Sequence, residues 1–192
     1  MTSSFCHTRI SITLIRERFT ACRAVAQSVL AAVLGGGMSS RLFTEVREKR
    51  GLAYYVRASG SNYQDTGVFN IGSGVQVEKI QEAIKVILGE LKKIKTSPVA
   101  EQELLKAREY LKGRITLALE DNQARLDWFV SNTAFHAKIE TPQEAFKKID
   151  AVTAAAVQEL AGNLFQAKKM TLAIIGPYKN QTSFKNIVKK LF

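Results

Sequence analysis

Leu34-Gly35-Gly36-Gly37-Met38-Ser39-Ser40-Arg41-Leu42-Phe43-Thr44-Glu45-Val46-Arg47-Glu48-Lys49-Arg50-Gly51-Leu52-Ala53-Tyr54-Tyr55-Val56 is the stretch on which the fold turns. It opens as the glycine-terminated end of an apolar helix. Ser40 to Lys49 then reads as a second, amphipathic helix, because Leu42, Phe43 and Val46 share one face at helical spacing. Gly51 ends that helix, and an aromatic, β-branched strand follows. Arg47 and Tyr54, seven residues apart, therefore face each other across a helix-to-strand corner.

Upstream, Cys22 to Leu34 is an apolar helix stopped by Gly35-Gly36-Gly37, residues able to take the left-handed conformation a helix end uses. A phosphate-cradling loop would need Gly-x4-Gly-Lys-Ser/Thr, and Met38-Ser39-Ser40-Arg41 follows instead. Before the helix, Arg9-Ile-Ser-Ile-Thr-Leu-Ile-Arg16 alternates branched apolar and polar residues as a strand does. Downstream, Ala53 to Tyr63 and Val68 to Val77 read as two strands, and Gln64-Asp65-Thr66-Gly67 joins them as a hairpin turn. Strict alternation along the first puts Tyr54, Val56, Ala58 and Gly60 on one face and Tyr55, Arg57, Ser59 and Ser61 on the other.

The period then becomes helical. Ile80, Ala83, Ile84, Ile87, Leu88 and Leu91 form a wide apolar stripe. Ser97-Pro98 breaks that helix and opens one carrying Leu104, Leu105, Ala107, Leu111, Ile115 and Leu119. A further helix spans about 123–137. Thr141-Pro142-Gln143-Glu144 is a capping box with proline at the first helical position, and Thr153 caps a helix ending near Phe165. Lys169 to Pro177 reads as a buried strand, and an amphipathic helix runs to Phe192. The order β-α-α-β-β, several helices, then β-α implies an α+β two-layer sandwich, a mostly antiparallel sheet covered by helices. One domain over 1–192 is expected, long enough to bury a core without disulfide or metal staples.

Composition excludes several classes. Lys and Arg number 28 against 17 Asp and Glu, a formal charge of +11. The basic residues are dispersed among carboxylates, and no basic strand interleaved with aromatics appears. The expectation is solvated helix faces and a surface that docks an acidic partner, not nucleic acid. No apolar run reaches membrane-spanning length; Val25 to Leu34 is interrupted by Gln27 and Ser28. The first residues lack the apolar core of a signal peptide. Cys6 and Cys22 are too few for a disulfide framework, so free thiols in a reducing, cytoplasmic setting are expected. His7 and His136 fit no ligand spacing.

The corner, the run Lys106-Ala-Arg-Glu-Tyr-Leu-Lys-Gly-Arg114, and the tail Thr141-Pro-Gln-Glu…Ile149-Asp-Ala-Val-Thr153…Leu164-Phe165…Met170-Thr-Leu-Ala-Ile-Ile-Gly-Pro177 occur in one order. In that order they resemble the pitrilysin/insulinase-type (inverzincin) zinc metallopeptidases, specifically the C-terminal half that binds no zinc. The likeness runs from about residue 22; residues 1–20 diverge from the family pattern, keeping a strand but not the Gly/Pro loop after it. In that family two related halves close around an unfolded peptide. The other half carries H-x-x-E-H, two histidine ligands and a glutamate that activates the metal's water. This sequence has no H-x-x-E-H, so the resemblance implies no metal on this chain and zinc in the partner half or subunit.

By the same resemblance, Tyr54 donates to the scissile carbonyl oxygen as it becomes an oxyanion, and Arg47 clamps a neighbouring substrate carbonyl. The residue types suit those roles: a fixed donor acts where charge develops, and guanidinium is a rigid fork that stays charged. By residue type alone, Tyr54 equally suits half-buried strand packing, and Arg47 a helix C-terminus. The expectation is a zinc-free substrate-binding half, inactive alone. The alternatives are a non-catalytic structural or binding subunit of the same fold, or a truncated gene product.

Overall fold

The computed structural model describes residues 7–17, 21–63, 65–135, 139–179 and 182–191. Its sheet is built around β1 (His7–Glu17), where alternating branched residues put Ile10, Ile12 and Leu14 on one face, fully buried. β1 pairs antiparallel with β3 (Thr66–Gln76) on one side and with β4 (Met170–Ile175) on the other. β2 (Ala53–Asn62) pairs antiparallel with β3, giving the order β2-β3-β1-β4. The expected α+β arrangement, an antiparallel sheet covered by helices, is what the chain adopts.

The helices are α1 (Ala21–Gly35), α2 (Ile80–Thr96), α3 (Glu101–Ala118), α4 (Asn122–Phe135), α5 (Pro142–Asp150), α6 (Ala154–Leu164) and α7 (Thr182–Leu191). The apolar stripe of α2 and Val29, Leu30, Val33 and Leu34 of α1 close over Phe69, Ile71 and Val75 of β3. Phe165, just past α6, meets Phe69 edge-on at 5.5 Å between ring centres. The other face of the sheet is open and polar, with Asn70 donating to Ser11 and Thr13 across the β1–β3 ladder. Both expected caps form: Thr141 and Glu144 satisfy each other's backbone N–H, and Thr153 accepts from the Ala156 N–H.

Four local expectations are corrected. None of Gly35, Gly36 and Gly37 is left-handed; their φ values lie outside that range, and Gly51, at φ +56°, is the one left-handed glycine among the described residues. Glycine is needed at position 35 because a Cβ there would lie 2.3 Å from the Ala58 backbone nitrogen, so the end of α1 rests directly on β2. The second helix is not regular: Phe43–Glu48 is π-helical, with the Lys49 N–H reaching back to the Thr44 carbonyl. Tyr54 does not share a face with Val56, for the register slips by one residue between Ala53 and Tyr55. β4 is a half-covered edge strand: Met170, Leu172 and Ile174 pack against the core, while Thr171, Ala173 and Ile175 alternate onto the open face, leaving Ile175 largely exposed.

Candidate functional site

The corner is fixed at both ends by its own sequence. Leu42, Val46 and Leu52 are buried beneath it. Arg41 donates from Nε and Nη2 to the two oxygens of Glu103 on α3, both at 2.7 Å, a two-pronged clamp at the start of the π-helical segment. That clamp, with the added field of Glu90, raises the Arg41 pKa despite burial. At the other end Glu45 accepts from Lys49 at 2.6 Å and from Arg50, which also binds the Glu45 backbone carbonyl. These two cations, Lys49 first, hold the Glu45 carboxyl down at about 2. The Gly51 and Leu52 N–H groups return to the carbonyls of Arg47 and Val46, and the left-handed Gly51 lets the chain reverse into β2.

Between these anchors Arg47 is exposed, its guanidinium carbon 4.9 Å from the Phe43 ring centre and 6.0 Å from that of Tyr54. The two residues singled out in the sequence are thus brought together, joined by cation–π stacking. Tyr54 is the extra residue of a β-bulge, the device by which a strand re-aims a side chain without losing its pairing. Ala53 and Val56 on either side stay buried while Tyr54 is 75% exposed. Ser73, buried on β3, donates to the Tyr55 carbonyl and pins the bulge. Tyr55 is half-buried, its ring lying over Gly74, where a Cβ would come within 2.5 Å of it.

Beside the pair runs a groove of about 690 Å³. One wall is β2 from Tyr55 to Ser59; the other is the glycine loop with Met38, together with Tyr110 and Arg114 of α3. Arg47 and Arg57 also line it. The sequence reading did not single out Arg57, Tyr110 or Arg114. The signal was faint: Arg57 alternates onto the open face, and Tyr110 and Arg114 share one helix face at i,i+4. An apolar hollow of about 480 Å³ lies at the opposite edge of the sheet, between β4 and α7, and gathers Leu172, Ile174, Phe184 and Val188, with Tyr178, Lys185 and Lys189 as its described polar residues.

Among the described residues no cluster of three His, Cys, Asp or Glu side chains could hold a metal ion, so these residues do not fit a zinc site. Cys6 and His136, and the side chains of His7 and Cys22, lie outside the described residues. No described helix is long and apolar enough to cross a membrane.

Comparison with known proteins gives a consistent answer. Residues 11–111 match the peptidase M16 inactive domain. An uncharacterized zinc protease of Bacillus subtilis is 36% identical over 155 residues, 81% of this chain but only 38% of that protein. The crystal structure of a peptidase M16 inactive domain from Pseudomonas fluorescens superimposes with a TM-score of 0.77 at 22% identity, covering 92% of this chain and 42% of that one. A chain of complex III from Candida albicans has the same fold, with a TM-score of 0.82 at 17% identity over 99% of this chain and 48% of that one.

Proposed function

This chain belongs to the peptidase M16 family as its inactive domain, and on that premise we propose that it is the zinc-free, substrate-binding half of a pitrilysin-like metalloendopeptidase. Arg47 and Tyr54 serve a cleft completed by an H-x-x-E-H half or subunit that holds the zinc and its water-activating base. The observation that carries the reading is the corner itself: two hydrogen-bond donors, both exposed, are stacked on each other by a π-helical turn and a bulge. Irregular backbone of both kinds recurs at functional sites.

The chemistry assigned to this chain is donation. The Tyr54 hydroxyl gives a hydrogen bond to the scissile carbonyl oxygen and is worth most as that oxygen gains charge. Arg47, steadied against Phe43, offers its fork to the carbonyl of an adjacent substrate residue. The partner's zinc supplies the polarised water when bound.

With a zinc-bearing partner supplied, Tyr54→Phe removes one donor and keeps the ring, so kcat falls on the order of 100-fold with KM little changed. Tyr55→Phe is the control: its ring packs on Gly74, phenylalanine preserves that packing, and activity stays near that of the parent. Equal effects at the two positions, or none at either, would overturn the assignment. A second reading, a non-catalytic structural subunit, is favoured by the likeness to a complex III chain; it requires that Tyr54→Phe leave peptide cleavage untouched.

A further inference from the structure

Five consecutive residues of β2, Tyr55 to Ser59, line the groove beside the corner. Side chains on a strand alternate between faces, so only a groove running along the strand's edge meets all five. Among the described residues β2 is the outermost strand on its side of the sheet. An edge of this kind offers N–H and C=O groups at peptide spacing to an extended chain. The facing wall is the glycine loop, packed directly on Ala58 and on Tyr110, together with Met38 and Arg114.

The charge in the groove is one-sided. Arg47, Arg57 and Arg114 line it, and among the described residues no carboxylate does. Several other cations of the same elements are tied down: Arg41 by Glu103, Lys49 and Arg50 by Glu45, Arg108 by Glu101, Lys112 by Glu109 and Asp150. None of the three groove arginines forms an ion pair with a described residue. Arg47 is stacked on Phe43 and Tyr54, whereas Arg114 rests near the Tyr110 ring at 5.9 Å and Arg57 stands exposed on the strand. Unneutralised guanidinium groups in a concavity raise its positive potential and match a carboxylate's two oxygens.

We propose that this groove takes an extended peptide segment along the edge of β2 and selects one carrying an aspartate or glutamate, with Arg57 and Arg114 as the residues that read the acidic charge. The peptide identity of the ligand rests on the function proposed above; the acidic preference is new to it. Nucleic acid would answer the charge but not the strand edge.

The test uses the full chain and fluorescently labelled peptides identical except for one central residue, Glu, Gln or Lys, with binding read by anisotropy. The Glu peptide binds about tenfold tighter than the Gln peptide, the Lys peptide binds weakest, and the Glu advantage shrinks as salt rises. Arg57→Gln and Arg114→Gln each cut that advantage, lowering the Glu peptide's affinity more than the Gln peptide's. Arg57→Lys retains part of the advantage, which separates lost charge from lost fold. Methylating alternate backbone nitrogens of the Glu peptide abolishes binding in one parity and spares the other, as strand addition requires. Equal affinity for Glu and Gln, absence of binding by any peptide, or displacement of the Glu peptide by a single-stranded oligonucleotide with the same Arg57 and Arg114 dependence would overturn the proposal. The two readings fail separately. Loss of the acidic preference with a surviving Tyr54→Phe effect on kcat sinks only the groove assignment; the reverse sinks only the role of Tyr54.

Discussion

Adding one methyl group at Gly35 tests the join on which the whole site depends. A Cβ there would sit 2.3 Å from the Ala58 nitrogen, 2.9 Å from the Arg57 carbonyl carbon and 3.0 Å from the Ala58 Cβ. Two of those atoms are backbone of a paired strand, so no rotamer relieves the contact; α1 and β2 must part. Alanine at a glycine in a helix recovers up to about 1 kcal/mol, less at the helix's last residue. Overpacking against immovable atoms costs about 1–3 kcal/mol, and backbone on the far side puts Gly35→Ala at the upper end. The net loss is about 2 kcal/mol, or a Tm lower by about 4–8 °C for a chain of this length. Gly113 sits in α3 with nothing within 4 Å of a Cβ, so Gly113→Ala keeps the helical gain and raises Tm by a few degrees. Urea unfolding at unchanged slope reads both. If the two substitutions shift the midpoint in the same direction by similar amounts, α1 does not rest on β2 as described, and the groove wall built on that contact falls with it.

Other expectations follow from the same contacts. Glu45 is held at about 2 against an ordinary 4.5. A carboxyl depressed by folding stabilises above its unfolded value and loses that contribution as pH falls from about 4.5 through about 2. The gap in urea midpoint between the parent and Glu45→Gln is therefore present near neutrality and closes in acid; a constant gap would refute the pairing with Lys49 and Arg50. Arg41→Lys keeps the charge but not the fork on Glu103, and it costs about 1 kcal/mol by thermal melt if the clamp is two-pronged. The purified chain alone cleaves no unfolded peptide; cleavage that a chelator abolishes would refute its assignment as the zinc-free half. With the partner present, Arg47→Lys acts chiefly on KM if the residue only positions substrate, and a kcat effect as large as that of Tyr54→Phe would assign it a share in the transition state.

Periodicity and capping chemistry carried most of the architecture in the sequence itself. The branched alternation of Arg9 to Arg16, the hairpin around Asp65-Thr66-Gly67, the stripe of α2 and the Thr141 and Thr153 caps each have local causes, and each formed where expected. The pairing of Arg47 with Tyr54 was legible too, because Gly51 forces a reversal between them and the family pattern marks both. What failed to show in the sequence depends on contacts between segments far apart. The three glycines read as a left-handed stop, yet position 35 needs glycine because Ala58, from another element, lies against it. The bulge that turns Tyr54 away from Val56 exists only through pairing with Val75 and Gly74 and through the Ser73 hydroxyl on the Tyr55 carbonyl. β4 looked like a core strand because its residues are apolar; its place at the sheet's edge is decided by which strand β1 pairs with. The groove is the clearest case. Arg57, Tyr110 and Arg114 are ordinary surface residues in sequence, and only the packing of α1 on β2 and α3 on α1 makes them the walls of one site. Local chemistry sets which element each segment becomes, and long-range packing sets which side chains of those elements meet.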